Sequence, residues 1–205
     1  MMLKLRSFLT SAVFLAVAVS AVTLATAHSS GAVDIPDPKA DMPLAASHGS
    51  AMTVLAGGCF WGMQGVFEHV KGVTHVTAGY SGGSADTASY ETVSTGTTGH
   101  AESVEVTYDP AQVTYGQLLK VYFEVAHDPT ELNRQGHDVG TQYRSAIFYS
   151  NPEQKKIAEA YIAQLDRAGV FRSPIVTQVV ELKRSIRPRS ITRTSAGGIP
   201  RIRTW

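Results

Sequence analysis

The chain has one cysteine, Cys59, in the run Gly57-Gly58-Cys59-Phe60-Trp61-Gly62. A thiol attacks as its thiolate, so the question is what would ionise it. Met52 to Ala56, just before the two glycines, is a short apolar run and predicts a buried strand. Cys59 to Val70 follows at helical spacing, with Trp61, Val66 and Val70 as the inward positions. A strand, two glycines and a helix start place Cys59 at a helix N-terminus. Free N–H groups and the helix dipole favour an anion there and lower a thiol pKa. The alternative is a small buried hydrophobe, the commonest fate of a free cysteine. The turn position, the flanking glycines and the odd cysteine count weigh against that alternative, and spacing alone leaves both readings open. Phe60 and Trp61 are either core anchors or the walls of a small apolar pocket. Such a pocket suits a thioether or methyl group, because sulfur and aromatic edges attract weakly.

The elements that must position this thiol read as follows. Val73 to Tyr80 predicts a second strand, closed by Ser81-Gly82-Gly83. Glu102, Val104, Val106 and Tyr108 alternate with Ser103, Glu105 and Thr107, which predicts a half-buried third strand. Glu102 shares the face of Val104 and Val106. It is either a solvated strand end or a buried carboxyl whose pKa is raised, as a general acid near neutrality requires. Thr114 and Gln117 have the spacing of a capping box, and Leu118, Leu119, Tyr122 and Val125 give the helix after them an apolar stripe. His127 to Thr141 is a polar loop long enough to suggest function. Tyr143 to Tyr149 predicts a strand. Asn151-Pro152 starts a helix lined by Ile157, Ala160, Tyr161 and Leu165 and ended by Gly169. Pro174 to Leu182 predicts a last strand. Strands and helices mix without strict alternation, so the expected class is α+β.

The 205 residues are 43% hydrophobic and 17% charged, with a formal net charge of +1. That composition describes a globular domain with a real core and argues against a nucleic-acid binder, which needs a basic stripe. Lys4 and Arg6, the apolar run Phe8 to Ala18, and Ala25-Thr26-Ala27 read as a signal peptide over residues 1–27. The run is short of the roughly 20 residues a membrane span needs. Residues 28–50, rich in Ala, Ser, Pro and Asp without periodicity, predict a flexible linker. The expected location is periplasmic or secreted, without stable membrane contact after cleavage.

The run Gly57 to Gly62 resembles the catalytic motif of the peptide methionine sulfoxide reductases, A class. Gly79 to Gly83 (GYSGG) resembles the glycine-rich turn of that family. Ser89 to Pro110 resembles its central stretch, and His127 to Tyr149 its long loop and following strand. The resemblance covers residues 51–182 and implies a single domain with a ferredoxin-like mixed sheet and packed helices. It implies that Cys59 is the nucleophile and that Phe60 and Trp61 hold the substrate S-methyl group. It also implies that Glu102 delivers a proton to the sulfoxide oxygen and that Tyr90 and Tyr143 hydrogen-bond that oxygen. Asp138 would help shape the pocket. Read alone, Tyr90 and Tyr143 are core tyrosines and Asp138 a turn residue. The implied reaction converts methionine S-sulfoxide, free or in proteins, to methionine through a cysteine sulfenic acid, with no metal or organic cofactor. Many members carry a second, resolving cysteine near the C-terminus. This chain has none, so an external thiol is expected, from a thioredoxin-like protein or a small molecule. A monomer is expected.

Two rival readings start from other residues. Gly79-Tyr80-Ser81-Gly82-Gly83 fits the nucleophile-elbow pattern of hydrolases, although loop rather than helix is expected after it. His100, His127 and His137 are too far apart for a recognisable metal ligand set.

The last segment departs from the family. Lys183 to Trp205 reads as a basic tail without period, expected to be disordered. With suitable codons, residues 184–195 read from the third base of the first codon give Phe-Tyr-Pro-Ala-Glu-Glu-His-His-Gln-Asp-Phe. Continued, that frame contains His-Pro-Pro-Asp-Pro-Tyr. Both resemble the segments the family carries there. A base gained or lost near codon 183 is therefore expected. Sequencing the coding DNA checks it: codons incompatible with that second frame rule it out.

Overall fold

The computed structural model describes residues 34–183 and 185–186. The signal peptide expected over 1–27 lies outside them, as do residue 184 and residues 187–205 of the expected tail. A six-stranded mixed sheet forms the centre, in the order β7-β6-β1-β3-β2-β8. Its strands are β1 (Ala51–Ala56), β2 (Val73–Ser81), β3 (Ala101–Tyr108), β6 (Ala146–Tyr149), β7 (Gln178–Glu181) and β8 (Ser185–Ile186). A two-stranded ribbon, β4 (Arg134–Gln135) with β5 (Asp138–Val139), stands apart from the sheet. All pairings are antiparallel except β6 with β7. The expected α+β class with a mixed sheet is the one observed.

The helices are α1 (Phe60–Phe67), α2 (Tyr90–Val93), α3 (Tyr115–Val121) and α4 (Pro152–Ala168). Alternation along the strands sends Leu55, Val104, Val106 and Ile147 into one large core with Phe60, Leu118, Leu119, Tyr122 and Tyr161. Val54, Ala56, Ala101, Ala146 and Phe148 form a smaller cluster on the opposite face. Thr114 caps α3 through Gln117 as the spacing predicts, and Asn151 caps α4, with Gly169 left-handed at its end. The stripe of α1 differs from expectation. Phe60, Met63 and Phe67 are buried, while Trp61, Val66 and Val70 are only partly so. The two phenylalanines set the phase, because they bury more area than the valines. On α4, Ala158 is buried rather than Ala160. The last strand is shorter than expected because residues 174–177 precede the pairing with β6.

Residues 34–50 are a docked strap, not a flexible linker. Ile35 is 2% exposed and joins the main core. Tyr161 Oη donates to the Pro36 carbonyl at 2.8 Å, and the Gln164 amide donates to the Asp37 carbonyl at 2.8 Å while accepting from the Lys39 amide at 2.9 Å. Asp41 accepts from the Thr114 hydroxyl and, at 2.7 Å, from the Gly116 amide at the start of α3. One acidic residue at a helix start, Asp41, and one apolar plug, Ile35, help fasten a segment that lacks any period of its own. At the other end, Ser185–Ile186 pair with Ser81 and Tyr80, so the expected disorder does not describe these two residues.

Replacing Ile35 with Ala is expected to lower unfolding stability by about 2–4 kcal/mol, as for a core position. Urea denaturation checks this. A free linker would show no change.

Candidate active site

Cys59 is the N-cap of α1, and its side chain is half-buried. The two glycines before it are required by contact. A Cβ on Gly57 would lie 2.7 Å from the His127 ring. One on Gly58, which has a φ of +93°, would lie 2.7 Å from Gln135. The turn is thus packed tightly against the long loop. Its thiol departs from expectation, since the pKa is raised rather than lowered. Burial is the main cause, and the charges of Glu102 and Asp138 add to it. The amides of Trp61 and Gly62 at the helix start pull in the other direction and lose.

Glu102 is the second residue of β3 and only 5% exposed. The Phe60 amide, in the first turn of α1, donates to its Oε2 at 3.1 Å. Burial pushes its pKa from 4.5 up to about 7, the Phe60 amide opposes, and Asp138 adds a smaller upward push. This carboxyl is protonated in half the molecules near neutral pH, which is what a general acid needs. Tyr143 ends a short 3₁₀ turn, Thr141–Tyr143, and is pushed up to about 12 by burial, then by Glu102, Asp138, Cys59 and Tyr90. It stays a neutral donor. Tyr90 opens α2, is 45% exposed, and sits near enough to act on Tyr143. Asp138 is exposed on β5 and acts on Cys59, Glu102 and Tyr143. Phe60 is buried, with its ring centre 5.3 Å from that of Trp61 and 5.7 Å from that of Tyr80. Cys59 and Trp61, both half-buried, pack against the core cluster that holds Phe60. The seven residues singled out in the sequence therefore converge on one place.

Supporting residues had no sequence signal of their own. The His127 Nδ1 lies 3.0 Å from the Tyr122 carbonyl, which can only accept, so Nδ1 carries the proton. Its Nε2 then accepts from Ser145 Oγ at 2.7 Å. Burial lowers the His127 pKa from 6.5 to about 4, so the ring that supports Gly57 is neutral. Arg144 donates to the carbonyls of Gly99, His100 and Thr141 at 2.9, 3.0 and 2.9 Å. It thereby ties the start of β3, with Glu102, to the turn that carries Tyr143. His100 accepts from the Gly83 amide and donates to the Ser84 carbonyl. These histidines and this arginine follow or precede motif residues, but only their burial distinguishes them from surface polar groups.

The rival readings find no geometry. Ser81 is 1% exposed and is the last residue of a strand paired on both sides, not a strand-to-helix elbow. His100 and His127 are each spent on hydrogen bonds within the fold. Among the described residues, no three His, Cys, Asp or Glu side chains could hold one metal ion.

The raised pKa of Glu102 sets a sign for stability. Between about pH 4.5 and 7 the folded chain holds the proton and the unfolded chain releases it, so stability falls as pH rises. The offset corresponds to about 3 kcal/mol. Glu102→Gln is expected to stabilise the fold by up to that amount at pH 8 and to change little at pH 4. Thermal unfolding at the two pH values checks it.

The model of the family described as peptide methionine sulfoxide reductase matches residues 51–188. A peptide methionine sulfoxide reductase MsrA 2 of Mesorhizobium japonicum is 64% identical over 134 residues, covering 65% of this chain and 69% of that protein. Its namesake in Synechocystis is 56% identical over 147 residues, covering 71% and 69%. Among solved structures, the methionine sulfoxide reductase A of Corynebacterium diphtheriae aligns with a TM-score of 0.59 at 34% identity, covering 77% of this chain and 82% of that one. Mxr1 of Saccharomyces cerevisiae in its reduced form aligns with a TM-score of 0.62 at 29% identity, covering 73% and 84%. Fold, a buried acid beside a helix-capping cysteine, and sequence identity agree: the chain belongs to the peptide methionine sulfoxide reductase family of enzymes.

Proposed function

We propose that this chain reduces methionine S-sulfoxide, free or within proteins, and that its task is the repair of oxidised exported proteins. The observation that carries the reaction is the Phe60 amide on Glu102, which fixes a buried carboxyl that holds its proton up to about pH 7 beside the only thiol of the chain. The export reading rests on the composition of residues 1–27. The periplasm or the exterior is then the place of action.

The Cys59 thiolate attacks the sulfoxide sulfur while Phe60 and Trp61 hold the S-methyl group. Negative charge grows on the oxygen. Glu102 delivers its proton there, and Tyr90 and Tyr143 donate hydrogen bonds to the same atom. The S–O bond breaks, methionine leaves, and the oxygen with its proton ends on Cys59 as a sulfenic acid. Two electrons have moved from the thiolate to the substrate sulfur. Asp138 acts by charge, keeping the Glu102 proton on until it is needed. An external thiol, small or thioredoxin-like, attacks the sulfenic acid and releases water. A second external thiol then frees Cys59 from the mixed disulfide.

Reduction of a methionine S-sulfoxide peptide with dithiothreitol tests this reading. Wild type is expected to turn over, Cys59→Ser to be inactive, and Glu102→Gln to lose about 10²-fold or more in kcat/KM. An active Cys59→Ser variant overturns it.

The pH profile has a defined shape. The reacting form needs Cys59 ionised and Glu102 protonated, although the thiol is the weaker acid of the two. That form is a constant fraction of the singly deprotonated site, so kcat/KM is expected to rise through about pH 7 and fall above the raised thiol value. In Glu102→Gln the rise near pH 7 is expected to vanish and the residual rate to follow the thiolate.

A further inference from the structure

Tyr80 is buried to 1% exposure, yet among the described residues its hydroxyl meets no hydrogen-bond partner. A phenylalanine would fill the same space without that cost, since an unpaired buried donor is destabilising. Tyr115 shares the condition, but the Thr53 hydroxyl faces it. Tyr80 has a different neighbourhood. It stands directly opposite Glu102 in the β2–β3 ladder, on the same face of the sheet. Phe60, whose amide holds Glu102, packs its ring on that of Tyr80, and the His100 ring centre lies 6.0 Å from that of Tyr80. Its backbone is bracketed by β3 and β8. The ring therefore has little freedom to turn its hydroxyl elsewhere. Burial first, then Glu102, Tyr90, Glu91 and Tyr143, hold its proton on well above the ordinary phenol value. It can donate a hydrogen bond but does not give up its proton.

We propose that Tyr80 is a positioning residue for the acid step, its hydroxyl left unpaired while Glu102 is protonated so that it donates to the Glu102 carboxylate once that carboxylate forms. This rests on the function proposed above. While Glu102 is protonated it asks little of Tyr80. When its proton has gone to the sulfoxide oxygen, the new charge accepts from the Phe60 amide and the Tyr80 hydroxyl together. The proton of Tyr80 stays on Tyr80, so the proton balance of the reaction is unchanged. The contact makes Glu102 a stronger acid than it would be otherwise, against burial and Asp138, which both weaken it.

Tyr80→Phe separates this role from a structural one, because the two predict opposite effects on stability. Loss of an unpaired hydroxyl is expected to leave the melting temperature unchanged or raise it by roughly 2 °C. kcat/KM at its plateau is expected to fall about ten-fold. Both the acid limb of the pH profile and the Glu102 carboxyl titration, followed by NMR of ¹³C-labelled glutamate, are expected to move upward by about one pH unit. The other polar and charged side chains around Tyr80 and Glu102, namely Cys59, Asp138, Tyr90, Glu91 and Tyr143, are untouched by the change. An unmoved Glu102 titration overturns the proposal, and so does a loss of rate that only parallels a fall in melting temperature. Wild type without sulfoxide reduction defeats the proposed function instead. In that case the NMR titration still decides whether Tyr80 serves Glu102.

Discussion

The Phe60 amide donates to Glu102 Oε2 at 3.1 Å, joining the first turn of α1 to β3 across 42 positions of sequence. Most of the site follows from that bond. A carboxyl taken this far out of water is costly as an anion, so it keeps its proton to about pH 7. The amide limits the shift and fixes the direction in which the acid points. It also brings the N-cap of α1, with its thiol, beside the acid.

The same burial that serves Glu102 works against Cys59. A helix start is an electropositive place, and the amides of Trp61 and Gly62 do lower the thiol pKa. Desolvation outweighs them, and the nearby charges of Glu102 and Asp138 push the same way. The resting site therefore stores its proton on the wrong partner for reaction, with the stronger acid being Glu102. Such an arrangement suits a reductant that must stay inert until a sulfoxide enters, since an exposed thiolate is also the form most readily oxidised.

Around this centre the chain uses long-range polar contacts as scaffolding. His127, neutral and buried, presses on Gly57, and Gln135 presses on Gly58. Arg144 binds three backbone carbonyls and so sets the distance between Glu102 and Tyr143. The strap over residues 34–50 closes the far side of the core through Ile35, Asp37 and Asp41. Apart from the Arg144 bond to the Thr141 carbonyl, these contacts join residues far apart in sequence, and each constrains a loop that propensity alone would leave open.

Cys59 at a turn, Glu102 on the inward face of its strand, the Thr114–Gln117 box and the Asn151-Pro152 start were all legible in the sequence, because each depends on spacing within a few residues. Motif order across residues 51–182 was enough to indicate the family. What only the tertiary structure decided were quantities summed over distant neighbours: the upward shift of Cys59, the docking of residues 34–50, the phase of α1 and the unpaired hydroxyl of Tyr80. Desolvation and hydrogen-bond satisfaction depend on what lies within a few ångströms in space, and sequence periodicity records only which way a side chain faces.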